Sequence, residues 1–289
     1  MTVQQPYLRR SVQCATPGGL HRLSYLEWGA PRPVRGVVIC VHGLTRCARD
    51  FDSLAMALSD QYRVICPDMP GRGYSDWLKN PLEYALPTYV SDLVTLIARL
   101  DVEHVDWVGT SMGGLIGMAL AAQPGTPIRR LLLNEAGPLV RAEALERIGR
   151  YLGQAPAFAA FGDAERYVRA VSAPFGPHSD AEWRFLTEHI VRQQPDGSYV
   201  VHYDPKLAVP FSVDLPHRDI DLWGLWDNIE CPTLVIRGAL SDLLDRPTVA
   251  EMRVRGPRAE VVELAGVGHA PTLMKPDQIA IVRDFLMRD

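Results

Sequence analysis

Ser111, His269 and a small set of carboxylates are the residues of this chain whose types and spacing could do nucleophilic chemistry. Ser111 centres Gly109-Thr-Ser-Met-Gly113, a G-x-S-x-G pattern. On spacing alone the pattern is weak, because it should arise by chance in roughly one chain in ten of this length. Its flanks give it meaning. His104 to Val108 reads as a strand and Met112 to Ala122 as a helix, the strand-turn-helix setting in which a serine hydroxyl is lifted clear of the backbone. A turn that sharp strains the serine, and glycines on both sides relieve the crowding. The helix N-terminus behind it favours developing negative charge. A serine nucleophile needs a base, and the base needs a carboxylate that fixes its tautomer. His269, in Gly266-Val-Gly-His-Ala-Pro271, follows a strand-like run and is expected to be the base. Asp242, a short turn beyond the run Thr233 to Ile236, is expected to orient it. Asp245 and Glu135, both near strand ends, are the alternatives, Asp245 being equally suited to the N-terminus of a helix beginning near Pro247.

Attack on a carbonyl also needs backbone N–H groups aimed at the oxyanion. The turn His42-Gly43-Leu44 directly follows the run Gly36 to Val41 and can offer the Leu44 N–H, while Met112 offers a second. His42 is expected to shape that turn rather than to move protons. Arg46, two residues beyond Leu44, could meet a substrate carboxylate; the competing expectation is that it faces solvent or pairs with Asp50.

These loops must be held by a scaffold. Gly36–Val41, Arg63–Pro67, Val105–Val108, Ile128–Leu133, Thr233–Ile236 and, more weakly, Val261–Leu264 are short apolar runs of the kind found in strands buried on both faces. Helical periodicity fills the intervals at Phe51–Leu58, Thr88–Leu100, Met112–Ala122, Pro247–Arg253 and Pro276–Met287. The alternation predicts an α/β fold with a mostly parallel central sheet flanked by helices. Leu8–Cys14 and His21–Trp28, joined by Thr16-Pro-Gly-Gly19, predict a hairpin at one edge. Between Arg141 and Trp226 no buried strand run occurs, and Ala142–Leu152, Ala164–Ser172 and Asp180–Arg192 read as amphipathic helices. The core is therefore expected from residues 1–138 and 227–289, with residues 139–226 an inserted helical lid over the site.

The chain has 289 residues, 47% of them hydrophobic and 22% charged, which suits one large core. Its formal net charge of −4, with scattered Lys and Arg, lacks the electrostatic footprint of a nucleic-acid-binding protein. No signal-like segment and no apolar run of about 20 residues is present, so a cytoplasmic protein that does not span a membrane is expected. The five cysteines, Cys14, Cys40, Cys47, Cys66 and Cys231, form no CxxC pair and are expected to be structural, with neither disulfides nor a metal site.

The HG turn, the block Asp68-Met-Pro-Gly-Arg-Gly-Tyr-Ser-Asp76, the G-x-S-x-G turn, the Gly238 to Asp242 turn and the Gly268-His269 pair together resemble the α/β-hydrolase superfamily. The resemblance runs from about Val37 to the C-terminus, interrupted by the lid region. It implies the α/β-hydrolase fold, the chain order Ser, Asp, His for the catalytic residues, and hydrolysis through an acyl-enzyme without metal or organic cofactor. A serine at position 111 argues against the dehalogenases and epoxide hydrolases of similar architecture, which carry aspartate there. The expected activity is cleavage of a carboxylic ester, or a related acyl bond, of a small or medium-sized molecule. Carbon-carbon bond hydrolysis of dicarbonyl compounds and a non-catalytic small-molecule receptor are the alternatives. Specificity and oligomeric state are not encoded in these motifs.

Overall fold

The computed structural model describes residues 6–30, 33–213 and 218–288. Positions 214–217 of the expected lid lie outside them. The main sheet has eight strands: β1 (Tyr7–Thr16), β2 (Gly19–Trp28), β3 (Gly36–Val41), β4 (Tyr62–Pro67), β5 (Val105–Thr110), β6 (Ile128–Asn134), β12 (Thr233–Gly238) and β13 (Glu260–Leu264), in the order β1-β2-β4-β3-β5-β6-β12-β13. The hairpin β1-β2 and the β2-β4 pair are antiparallel, and every pairing from β4 to β13 is parallel. The apolar runs were thus legible as strands because both faces are covered. On one face α1 (Asp52–Leu58) and α10 (Pro276–Leu286) bury Leu54, Leu58, Val282 and Phe285 against Val38, Cys40, Val108 and Leu132. On the other, α2 (Leu86–Leu100) and α3 (Met112–Ala121) set Leu93, Leu96 and Ile116 against Val37, Ile39 and Trp107. Each such side chain, taken from water into the core, contributes about 1.5–3 kcal/mol. Cys40 and Cys66 sit in this core as small hydrophobes.

Between β6 and β12 the chain leaves the sheet. Helices α4 (Ala142–Tyr151), α5 (Phe161–Val171), α6 (Asp180–Ile190), α7 (Val209–Val213) and α8 (Trp223–Trp226) dominate this segment, but it is not purely helical. Strands β8 (Ala157–Phe158), β9 (Val191–Gln193) and β10 (Tyr199–Val201) form a small sheet ordered β8-β10-β9. At its neck β7 (Leu139–Val140) pairs with β11 (Ile220–Asp221), tying entry and exit together. These strands are two or three residues long, too short for a period-2 pattern to register. Helix α9 (Arg246–Met252) precedes β13 and is capped by Asp245, whose side chain accepts the Thr248 N–H.

Candidate active site

The turn between β5 and α3 places Ser111 at φ 52° and ψ −115°, the left-handed half of backbone space that a non-glycine residue rarely occupies. Both glycines of the turn are required by close approach. A Cβ on Gly109 would run into the Gly113 carbonyl, and one on Gly113 into the carbonyl of Val41. The strand ends are cross-linked here: Ser111 N–H donates to Asn134 O at 2.9 Å, and Glu135 N–H to Ile236 O at 2.9 Å. The amide of Asn134 donates to Thr110 Oγ1 and, at 2.8 Å, to Pro271 O, fastening the loop that carries His269. Ser111, Glu135 and His269 are thus fixed by the C-terminal ends of three adjacent strands and one loop, the edge of an open α/β sheet where ligands bind.

His269 Nε2 lies 2.9 Å from Ser111 Oγ, and its Nδ1 lies 3.1 Å from Glu135 Oε2. The Glu135 carboxylate is fully buried and collects two more donors, Gly238 N–H on Oε1 and Ser241 O–H on Oε2, both at 2.5 Å. Ser241 Oγ itself accepts the N–H groups of Leu243 and Leu244, so its own proton is left for the carboxylate. With acceptors only on the glutamate, Nδ1 of His269 carries the proton and Nε2 accepts from the serine hydroxyl. The geometry is that of a nucleophile, a base and an orienting acid.

The acid in this chain of hydrogen bonds corrects the expectation from sequence. Asp242 follows β12 as anticipated, but its carboxylate points outward, half exposed, to Arg147 on α4 at 3.0 Å. Asp245 caps α9 and also pairs with Arg141. Glu135, at φ 57°, turns the β6 end back toward His269. The signal that could have found it is a carboxylate directly after the buried run Leu131-Leu-Leu-Asn134, where an acidic residue buried on both sides needs a function or a partner.

Leu44 N–H and Met112 N–H take no hydrogen-bond acceptor among the described residues, leaving both donors open beside Ser111. The turn that carries Leu44 is set by His42, whose Nδ1 donates to Gly43 O at 2.7 Å and whose Nε2 accepts the Met69 N–H at 2.9 Å. Burial holds this imidazole down to about 4, with the Arg72 guanidinium also opposing its protonation. For Arg46 the structure shows the competing expectation, the pair with Asp50, and not a contact with substrate. Its Nε and Nη2 grip Asp50 at 2.8 and 2.7 Å, so the guanidinium braces the turn, and its remaining Nη1 is sealed from solvent with no hydrogen-bond partner among the described residues. Arg72, which the sequence reading passed over, is completely buried beside the same turn: Nε donates to Leu44 O at 2.7 Å and Nη2 contacts Met112 Sδ at 3.4 Å.

A chamber of about 130 Å³ opens from Ser111, walled by Leu115, Val140, Leu145, Ile148, Phe211 and Leu243. Four of these six belong to the segment between β6 and β12, so the insertion supplies most of the apolar wall. The same segment is pinned to the His269 loop by Gly268 N–H on Pro174 O at 2.7 Å, His178 Nε2 with Thr272 Oγ1 at 2.9 Å and Lys275 with Glu182 at 2.7 Å. Among the described residues one group of potential metal ligands is compact, Cys14, His21 and Asp92. It lies on the β1-β2 hairpin and α2, where His21 Nε2 is bonded to Asp92 at 2.8 Å. No helix among the described residues is long and apolar enough to cross a membrane.

A serine at a sheet-edge turn, a histidine and a buried carboxylate stand here in hydrogen-bond sequence. The chain belongs to the alpha/beta hydrolase family, whose model matches residues 38–281. Among its relatives, a 3-hydroxybutyrate-oligomer hydrolase of Cupriavidus necator is 53% identical over 281 residues, 95% of this chain and 96% of that protein. A pimeloyl-[acyl-carrier protein] methyl ester esterase of Xanthomonas campestris is 30% identical over 84% of this chain and 91% of its own length. A crystal structure of an alpha/beta hydrolase from Novosphingobium aromaticivorans superimposes with a TM-score of 0.87 at 38% identity, covering 98% of this chain and 99% of that one.

Proposed function

We propose that this protein hydrolyses short-chain carboxylic esters, of the kind that join 3-hydroxybutyrate units in a small oligomer, through an acyl-enzyme on Ser111. His269 Nε2 takes the hydroxyl proton as Ser111 Oγ bonds to the ester carbonyl carbon. The carbonyl π electrons move onto oxygen, which is held by the Leu44 and Met112 N–H groups. Glu135 keeps His269 in the required tautomer and stabilises the imidazolium. Collapse of the tetrahedral intermediate breaks the C–O bond, and His269 returns its proton to the leaving alcohol. Water then repeats the sequence on the acyl-serine, releasing the acid and regenerating Ser111. Neither step calls for a metal or organic cofactor.

The observation that carries this reading is the hydrogen-bonded line Ser111–His269–Glu135, with two open backbone donors beside the serine. The ester class is supported by the C. necator relative, which matches along nearly the whole chain. The substrate size is supported by the apolar chamber, whose volume of about 130 Å³ suits an acyl chain of a few carbons. Residues 139–226 act as the lid of this site, because they build its wall and clamp the histidine loop.

The test is hydrolysis of a 3-hydroxybutyrate dimer and of p-nitrophenyl butyrate by the parent and by Ser111→Ala. The reading expects both substrates to turn over in the parent and a loss of several orders of magnitude in the variant. Turnover surviving in Ser111→Ala above about a tenth of the parent rate would refute it.

A further inference from the structure

The block Asp68-Met-Pro-Gly-Arg-Gly73 holds Arg72 in a setting that packing alone does not explain. Its guanidinium is completely buried, and among the described residues it makes no ion pair. Its partners carry no formal charge: Leu44 O at 2.7 Å, Pro70 O at 2.7 Å, Tyr89 Oη at 2.9 Å and Met112 Sδ at 3.4 Å, with the faces of Tyr84 and Tyr89 at 5.8 and 5.3 Å from the guanidinium carbon. Acidic side chains on the elements packed around it are engaged elsewhere. Asp204 accepts Tyr84 O–H at 2.6 Å and Lys206 N–H, while Asp68 accepts the N–H groups of Ala48 and Tyr74. Burying a cation with no counter-charge is costly, and a fold normally pairs or exposes it. Here two of the cation's four partners are instead Leu44 and Met112, whose N–H groups face the place where negative charge appears during ester cleavage.

We propose that Arg72 is an electrostatic positioning residue: a buried cation without a counter-ion, set behind the Leu44 and Met112 donors so that the forming oxyanion supplies its missing negative charge. This rests on the acyl-transfer reading above. A fixed charge of this kind is in place before the reaction and needs no reorganisation when the oxyanion forms. Its effect belongs to the transition state, because the ground-state ester is neutral. The same side chain ties the site to the insertion. Tyr203 forms a backbone bridge with Arg72, and Asp204 N–H donates to Gly71 O at 2.7 Å. Docking of the lid therefore closes over the guanidinium and excludes the water that would screen it.

The experiment compares Arg72→Lys, which keeps the charge, with Arg72→Gln, which removes it, after confirming folding by circular dichroism and melting. Each is assayed for kcat and KM on p-nitrophenyl butyrate. Each is also titrated with butylboronic acid, which forms an anionic tetrahedral adduct on serine, and with neutral butyramide. Arg72→Gln is expected to lose about a hundredfold in kcat with KM within about threefold, in the range of a lost oxyanion donor. Boronate affinity should fall by a similar factor and butyramide affinity should hold. Arg72→Lys should retain at least about a tenth of the parent rate. Equal losses in Lys and Gln, or parallel loss of boronate and butyramide binding, would show a merely structural arginine. Tyr89→Phe, which removes a neutral partner and keeps the charge, covers the case in which Arg72→Gln does not fold. Its kcat should change by no more than about threefold, and a loss near a hundredfold would overturn the proposal. A parent that neither binds boronate nor hydrolyses ester would instead sink the acyl-transfer reading itself, so the two failures are distinguishable.

Discussion

Replacing Glu135 by Gln is the substitution whose consequence the geometry fixes most tightly. Three donors converge on this carboxylate: Gly238 N–H on Oε1, and Ser241 O–H and His269 Nδ1–H on Oε2. A glutamine offers one acceptor oxygen and an NH₂ group that only donates. If the NH₂ takes the Oε1 place it meets the backbone N–H of Gly238, which cannot turn away. If it takes the Oε2 place it donates toward His269 Nδ1, which must then lose its proton. The proton moves to Nε2, and the imidazole faces Ser111 as a donor instead of a base. The equivalent tautomer error in a serine protease costs about 10⁴ in rate, or about 5.5 kcal/mol at 1.36 kcal/mol per decade. Asp242→Asn makes the contrast, because that side chain is half exposed and, among the described residues, pairs with Arg147 alone. A surface pair of this kind is worth about 0–1 kcal/mol, so its kcat should stay within about threefold. The assay is kcat for p-nitrophenyl butyrate at one pH, with both variants checked by thermal melting. A folded Glu135→Gln that keeps more than about a tenth of the parent rate, or an Asp242→Asn that loses more than Glu135→Gln, would refute the assignment.

Three further outcomes are expected. Ser241→Ala should lower kcat about tenfold and also reduce thermal stability, because the hydroxyl both bonds Glu135 and accepts Leu243 and Leu244 N–H; an unchanged kcat in steady-state assays would count against this anchoring. Leu145→Ala or Ile148→Ala should shift the preferred acyl length upward by about two carbons in a p-nitrophenyl ester panel, because both side chains wall the chamber; an unmoved optimum would place the acyl group elsewhere. His42 should make stability fall at acid pH. Burial lowers it from 6.5 to about 4, so its contribution is complete above pH 6.5 and is lost as pH falls through that window toward 4. The total is about 3 kcal/mol at 1.36 kcal/mol per unit. Urea unfolding of the parent and His42→Asn between pH 4 and 7 should show a steeper loss in the parent, because His178, His189 and His202, also lowered by burial, keep their share of the slope in both.

What the sequence made readable was governed by burial and by locality. The inner parallel strands stood out because strands covered on both faces are continuous apolar runs, as Gly36–Val41 and Thr233–Gly238 are, while the antiparallel edge hairpin was read from its Thr16-Pro-Gly-Gly19 turn. Ser111 stood out because the steric demands of its turn force glycine at 109 and 113, a local constraint that leaves a local pattern. The acid was legible only as one of three strand-end candidates, Asp242, Asp245 and Glu135, because its partner lies 134 residues away and a strand-end position does not say which way a side chain points. Asp242 has the right position and the wrong direction, outward to Arg147, while Glu135 turns inward at a positive φ that nothing in Leu133-Asn-Glu-Ala136 announces. Arg46 and Arg72 show the same limit. Both lie near the Leu44 turn, and only the three-dimensional arrangement reveals that one is paired with Asp50 and that the other makes no ion pair among the described residues.

The central claim is that ester cleavage passes through an acyl group on Ser111, and acid-quenched intact mass spectrometry during turnover of p-nitrophenyl butyrate addresses it directly. The parent is predicted to carry one added butyryl group, mapped by peptide fragmentation to Ser111, with no adduct and no turnover in Ser111→Ala. Steady hydrolysis by Ser111→Ala at the parent rate, or a butyryl group mapped to any other residue, would contradict it.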